Sequence, residues 1–344
     1  MANRLENKAL WLKVALPVLF GLAVAALLIW RDFNPEAWRS VKFTSSAVIG
    51  IGLAWVFMLG RDFGYSWRFR VLSDRDLSWS RAARVTMLME FSSAITPTTV
   101  GGSALSAVFM NREGIAPGRA TTLMVTTLFL DELFFTLACP VVMIMVPYAD
   151  LFGFSHSSFD SGLRVVFWCV YGGVIALTIL LFCGLFIWPA GVARMITGMF
   201  RWRLLRRWSA SVESLASDMI TTSHQLRDRS AGWWLMAFGT TALSWISRFM
   251  VVNALFGGFA PSADQMVVLG RQFVVWMVLM VSPTPGGSGV SEWLFTTYYG
   301  DLIAGGTAVA LVLALFWRVI SYYVYLIVGV FLLPSFFRKK KPVI

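Results

Sequence analysis

Cysteine and histidine are scarce in this sequence of 344 residues, with three and two copies. Cys139, Cys169 and Cys183 all fall in apolar stretches and show no paired spacing. This excludes a disulfide-built scaffold and reads as small core side chains. His156 and His224 stand far apart, so no metal-ligand cluster forms, and neither a metal nor a cofactor is expected. Charge is scarce as well, at 14% of residues against roughly 25% in soluble domains. Apolar residues make up 58%, more than a soluble core of this length could enclose. A soluble enzyme and a disordered chain are therefore excluded. Acidic residues are the minority, 18 against 29 basic, for a net charge of +11. In a soluble chain that excess would point to nucleic acid. Here no nucleic-acid partner is expected, because basic residues collect in the cytoplasmic loops of membrane proteins and beside anionic headgroups. The first apolar run has no obvious small-residue cleavage site after it, so it is expected to be a retained span.

Long apolar runs are what the sequence has in excess. Its mean hydropathy is +0.70, with 28 Phe and 16 Trp. The expected fold is an all-α polytopic membrane protein, one integral membrane domain over residues 1–344. A crossing helix needs about 20 mostly apolar residues. Six segments qualify: Val14–Trp30, Phe43–Gly60, Ala120–Tyr148, Val165–Ala193, Trp233–Phe256 and Gly305–Leu333. Two further apolar regions, Val85–Met110 and Gln265–Tyr299, are broken near the middle by Pro and Gly. Neither half of either is long enough to cross, so each reads as a re-entrant hairpin or discontinuous span. If both hairpins return to their own side, 22 basic residues fall on one face, including Arg61 and Arg68 in a loop after the second span. Four (Arg31, Arg39, Lys42 and Arg164) fall on the other. That bias puts both termini in the cytoplasm of a multi-pass protein, expected in a bacterial inner membrane.

The same topology contains an inverted repeat, with residues 43–148 and 233–333 as its two units. TPTTVGGSALS (Thr96–Ser106) in one unit echoes SPTPGGSGVS (Ser282–Ser291) in the other. Broken helices at matching places in inverted halves point to a transport site; chance recurrence of Gly and Pro is the alternative. The expected tips are Gly101, Gly102 and Ser103 in the first unit and Gly286, Gly287 and Ser288 in the second. A helix starting after such a break leaves free N–H groups and partial positive charge that suit phosphate or carboxylate. Thr96, Pro97, Pro283, Thr284 and Pro285 shape the turns; a purely structural bend is the alternative. Residues 194–230 form an expected cytoplasmic linker. Within it Trp202–Arg229 is amphipathic, lying on the inner leaflet or packing on the bundle as a connector.

Ionised groups inside apolar segments are costly and default to functional candidates. They are Glu90, Asp131, Glu132, Arg248, Arg271, Glu292 and Arg318, with the three arginines expected to partner the Asp131–Glu132 pair. Structural ion pairing that locks helices together is the alternative. With the hairpin tips, these residues describe a site for an anionic headgroup.

Two stretches carry a family resemblance: the Pro97–Gly101–Gly102 turn followed by FMNREGIAPGRATTLMVTTLFLDELFF (Phe109–Phe135), and PTPGGSGVSE (Pro283–Glu292). The chain resembles the transmembrane, flippase-like region of lysylphosphatidylglycerol synthases over about Val14 to Leu333. Pro285, Gly286, Gly287, Gly289 and Glu292 match that family's second motif. Gly102 stands where the family often has Glu, and Glu90 is a candidate substitute. The resemblance implies a lipid translocase that moves an anionic or zwitterionic phospholipid or lipid-linked headgroup between leaflets, its partner being that membrane lipid. A homodimer is compatible with it. With no aminoacyl-transfer domain in the sequence, synthesis of lysylated lipid is not expected. Two other readings stay open: an intramembrane enzyme using an acid/base pair such as Asp131 and Glu292, and an ion-coupled exporter of a small solute.

Overall fold

The computed structural model describes residues 43–96, 99–152, 158–200, 220–304 and 306–338. The first expected span (Val14–Trp30), Pro97 and most of the amphipathic linker (residues 201–219) lie outside the described residues. The described residues are helical, without strands. Among them, five helices are long and apolar enough to cross a membrane, and they match the other five expected spans.

The first is α1 (Ser45–Leu72), whose N-cap Thr44 accepts from the Ala47 amide. It is followed by α2 (Trp79–Ile95), α3 (Thr99–Arg112) and α4 (Pro117–Met145), the last opening on a proline where no helical N–H is needed. After α5 (Tyr148–Phe152) and α6 (Ser158–Phe182), a π turn (Cys183–Ile187) leads to α7 (Pro189–Phe200). The second half holds α8 (Ala231–Phe259), α9 (Gln265–Met280), α10 (Val290–Tyr299) and α11 (Gly306–Arg318). A π turn (Val319–Tyr323) joins α11 to α12 (Val324–Arg338).

α1 and α8 run antiparallel in close contact. A Cβ built on Gly50 would lie 2.7 Å from the Ala254 carbonyl oxygen and 2.8 Å from Gly258 Cα. One on Gly64 would meet Ser244 and Thr240. Small residues let two backbones approach where lipid supplies no hydrophobic drive. Gly50→Leu is expected to lower stability in detergent by about 2–3 kcal/mol, because the obstructing atoms are backbone. Gly52→Leu, whose Cβ meets nothing within 4 Å, is expected to stay within about 0.5 kcal/mol. Thermal unfolding of the two variants side by side checks the contrast.

α2 and α3 form a helical hairpin. Arg84, near the start of α2, pairs with Glu113 just after α3 at 2.6 Å. Arg119 pairs with Asp76 at 2.6 Å and Asp74 at 3.0 Å, and Arg229 also pairs with Asp74. These contacts gather the outer ends of the hairpin, the end of α1 and the start of α8 at one end of the bundle. α9 and α10 form a second hairpin, fastened at its base by Arg271, which pairs with Asp301 and donates to the Tyr298 carbonyl. That base lies at the opposite end, beside the start of α1, where Ser46 donates to the Gly258 carbonyl. The 28 residues of α1, about 42 Å at 1.5 Å each, separate the two ends. Between them the hairpin tips touch: the Gly286 amide donates to the Thr96 carbonyl at 3.3 Å.

Three details differ from expectation. α1 continues past Gly60 to Leu72, so Arg61 and Arg68 are fully buried helical residues rather than loop residues. The polar inner face of the bundle compensates their charge, which a hydropathy window cannot register. In the first hairpin the chain breaks between Ile95 and Thr99, and Gly101 and Gly102 belong to the first turn of α3. Gly102 serves contact there, since a Cβ would lie 2.5 Å from the Ser93 amide nitrogen. The last span is also interrupted, by the π turn directly after Arg318.

Candidate functional site

A cavity of about 130 Å³ opens where the hairpin tips meet. Eight residues expected from the sequence line it: Glu90, Asp131, Glu132, Arg248, Thr284, Gly286, Gly287 and Arg318. The second tip is shaped by glycine conformation, with Gly286, Gly287 and Gly289 at φ +55°, +69° and +84°, a region that costs other residues free energy. Glu292, in the first turn of α10, accepts from the Gly289 amide at 2.7 Å and from the Ser291 hydroxyl at 2.8 Å. It also pairs with Arg318 Nε at 2.8 Å. Arg318 donates to the Gly286 carbonyl and the Ser288 hydroxyl, both at 3.1 Å, and lies over the Tyr322 ring. Ser288 and Glu292 thus stand behind the lining and hold Arg318 in place. Tyr322 spans both tips, its hydroxyl donating to the Ala94 carbonyl at 3.1 Å and accepting from Ser288. π turns often mark functional positions in helices; this one carries Ser321 and Tyr322 into the lining.

The other expected residues are placed elsewhere. Arg271 is at the base of the second hairpin, away from the cavity lining. Pro283 is exposed, and Thr96 makes the tip contact through its backbone. Gly101 lies in α3, and the side chains of Ser103 and Pro285 lie outside what is described.

The partners of the buried carboxylates differ from the expected ones. Asp131 is held by Arg68 through two bonds, 2.5 and 3.2 Å, and accepts from the Trp245 indole at 2.7 Å. Glu90 pairs closely with Arg61, and Arg248 stands 3.8 Å from the same carboxylate. Arg61 also reaches Asp62 at 3.1 Å, and Asp62 accepts from the Tyr325 hydroxyl at 2.6 Å. Arg248 rests against indole faces, 4.4 Å from the Trp276 ring centre and 5.5 Å from that of Trp245. Indole is the strongest side-chain partner for a guanidinium of this kind.

Arg61, Tyr65, Arg68, Trp245, Trp276, Tyr322 and Tyr325 are site residues beyond those read from the sequence. A usable signal was present: Arg61 and Arg68 are seven residues apart, hence on one helix face, with Tyr65 between them. Arg61 lies against both Tyr65 and Tyr325, and Arg68 against Tyr65. Among the described residues no group of three or more His, Cys, Asp or Glu is placed to hold a metal ion.

Fold and site together define an all-α, multi-pass membrane protein with a charged cavity lined by its helices. The chain belongs to the family described as Lysylphosphatidylglycerol synthase TM region, whose model matches residues 18–329. It is 22% identical to a UPF0104 membrane protein of Archaeoglobus fulgidus over 324 residues, covering 91% of this chain and 93% of that one. No solved structure matches.

Proposed function

We propose that the protein is a membrane lipid translocase, moving a phospholipid or lipid-linked headgroup between leaflets through the cavity between the two hairpin tips. The observation that carries this reading is the contact of two interrupted helical hairpins, based at opposite ends of the bundle, beside a charged cavity. In this reading both hairpins dip into the bilayer from opposite leaflets as an inverted repeat, and their interrupted backbone is tolerated because it faces the cavity. The chain sits in a bacterial inner membrane with cytoplasmic termini, and the basic end of the bundle, with Arg81, Arg84, Arg119 and Arg229, faces the cytoplasm. The headgroup travels through the polar interior while its acyl chains remain in lipid.

The test is leaflet exchange of acyl-labelled phospholipids in proteoliposomes, read by the fraction that an external reductant bleaches. Exchange above that of empty vesicles is expected for at least one phospholipid class. Arg248→Gln is expected to slow it by about tenfold, the scale of one lost charged hydrogen bond. Exchange no faster than in empty vesicles across phospholipid classes rejects the reading.

A further inference from the structure

The ionic groups around the cavity pair off, and one is left over. Arg68 faces Asp131, and Arg318 faces Glu292. Arg61 pairs with Asp62 and Glu90, and Arg248 stands at the same Glu90 carboxylate. Four guanidiniums therefore meet four carboxylates. The fifth carboxylate, Glu132, is 6% exposed, and among the described residues it has no ion pair and its Oε2 no hydrogen-bond partner. Glu132 lies on α4 with Leu128 and Phe135 one turn to either side, and all three line the cavity. A buried carboxylate without a counter-ion is costly to keep, so the site is complementary to a group that carries positive charge. The Phe135, Trp245 and Trp276 rings that share the lining suit the same kind of group.

A second unsatisfied element has the opposite preference. The Trp276 indole N–H is buried, with no acceptor among the described residues. Arg248 beside it has, among the described residues, only Glu90 as a counter-ion, at 3.8 Å and shared with Arg61. An anionic oxygen placed there would receive both donors.

We infer that the cavity selects a dipolar headgroup, with its ammonium at Glu132 and its phosphate at Arg248 and the Trp276 indole, over a purely anionic one. This rests on the translocase reading and narrows its substrate class. The sequence leaves anionic and zwitterionic headgroups both open, and the cavity favours the second.

Lipid retention by detergent-solubilised protein in native mass spectrometry tests the inference apart from transport. The probes are phosphatidylethanolamine and phosphatidylglycerol, which differ in the amine. Wild-type protein is expected to retain the first about tenfold better, the scale of one charge-assisted bond. Glu132→Gln, close to isosteric, is expected to reduce that preference to within about twofold, and Glu132→Asp to keep most of it. Equal retention by wild type, or an unchanged preference in Glu132→Gln, overturns the inference. Soluble phosphoethanolamine bound in place of lipid, with the same dependence on Glu132, supports the amine site and assigns it a soluble ligand. Selective retention without leaflet exchange in proteoliposomes supports the amine site while rejecting translocation, so the two claims can fail separately.

Discussion

Asp131→Asn is expected to destabilise the protein by about 3–5 kcal/mol, the cost of removing one partner from a buried ion pair. Arg68 is fully buried and directs two bonds to Asp131, with Thr241 as its other hydrogen-bond partner at 3.3 Å. Asparagine keeps the shape but removes the charge that makes the buried guanidinium tolerable. The Trp245 indole, 2.7 Å from the same carboxylate, is weakened as well. This indole sits among Phe134, Phe135 and Trp276, so the loss reaches the aromatic packing between α4, α8 and α9. The double change Arg68→Met with Asp131→Leu is expected to recover most of the stability, because it removes both charges together. Thermal unfolding in a single detergent, with the double variant as reference, measures this. A single variant within about 1 kcal/mol of wild type would show that Arg68 finds compensation elsewhere.

The largest effect on transport is expected from Gly286→Ala. Gly286 has φ +55°, and an added Cβ would lie 2.2 Å from the Tyr322 ring and 3.0 Å from the Ala94 carbonyl oxygen. The left-handed backbone and the crowding together amount to about 3 kcal/mol of strain. Separating the tips is the simplest relief, and it breaks the Gly286–Thr96 bond together with the Tyr322 bridge. The joined arrangement that frames the headgroup cavity then loses about two orders of magnitude in population, one for each 1.4 kcal/mol, so the tips rarely rejoin and leaflet exchange is expected to fall in proportion. Folding, read by helical content and elution volume, is expected to persist. Full exchange by this variant would mean that contact between the tips is dispensable.

The spans were legible because a crossing helix must be apolar for about 20 residues, and five expected segments match helices of that kind. The two breaks were legible for the converse reason: Pro and Gly interrupt apolar runs that are too short in halves. The extent of α1 was not legible. Arg61 and Arg68 look like the start of a loop to any local measure of polarity, and only their partners on α2 and α4 show that they are interior. For the same reason Asp131 was matched to arginines later in the chain, since linear order does not reveal that α1 passes beside α4. Glu132 and Asp131 are adjacent carboxylates, yet Asp131 is compensated by Arg68 while Glu132 has no ion pair among the described residues. Arg271 looked equivalent to Arg248 and Arg318 because all three interrupt apolar segments; its place in the second turn of α9 puts it at the hairpin base instead.

The amide link from Gly286 to Thr96 also bears on kinetics. Under the proposed function, a headgroup travelling from one end of the bundle to the other must cross the line that this bond draws. A permanently open conduit would have no such bar across it. Each crossing would then require the tips to part and rejoin, and such collective motions take microseconds to milliseconds. Throughput would accordingly be that of a carrier, saturating with lipid concentration, and not that of a pore.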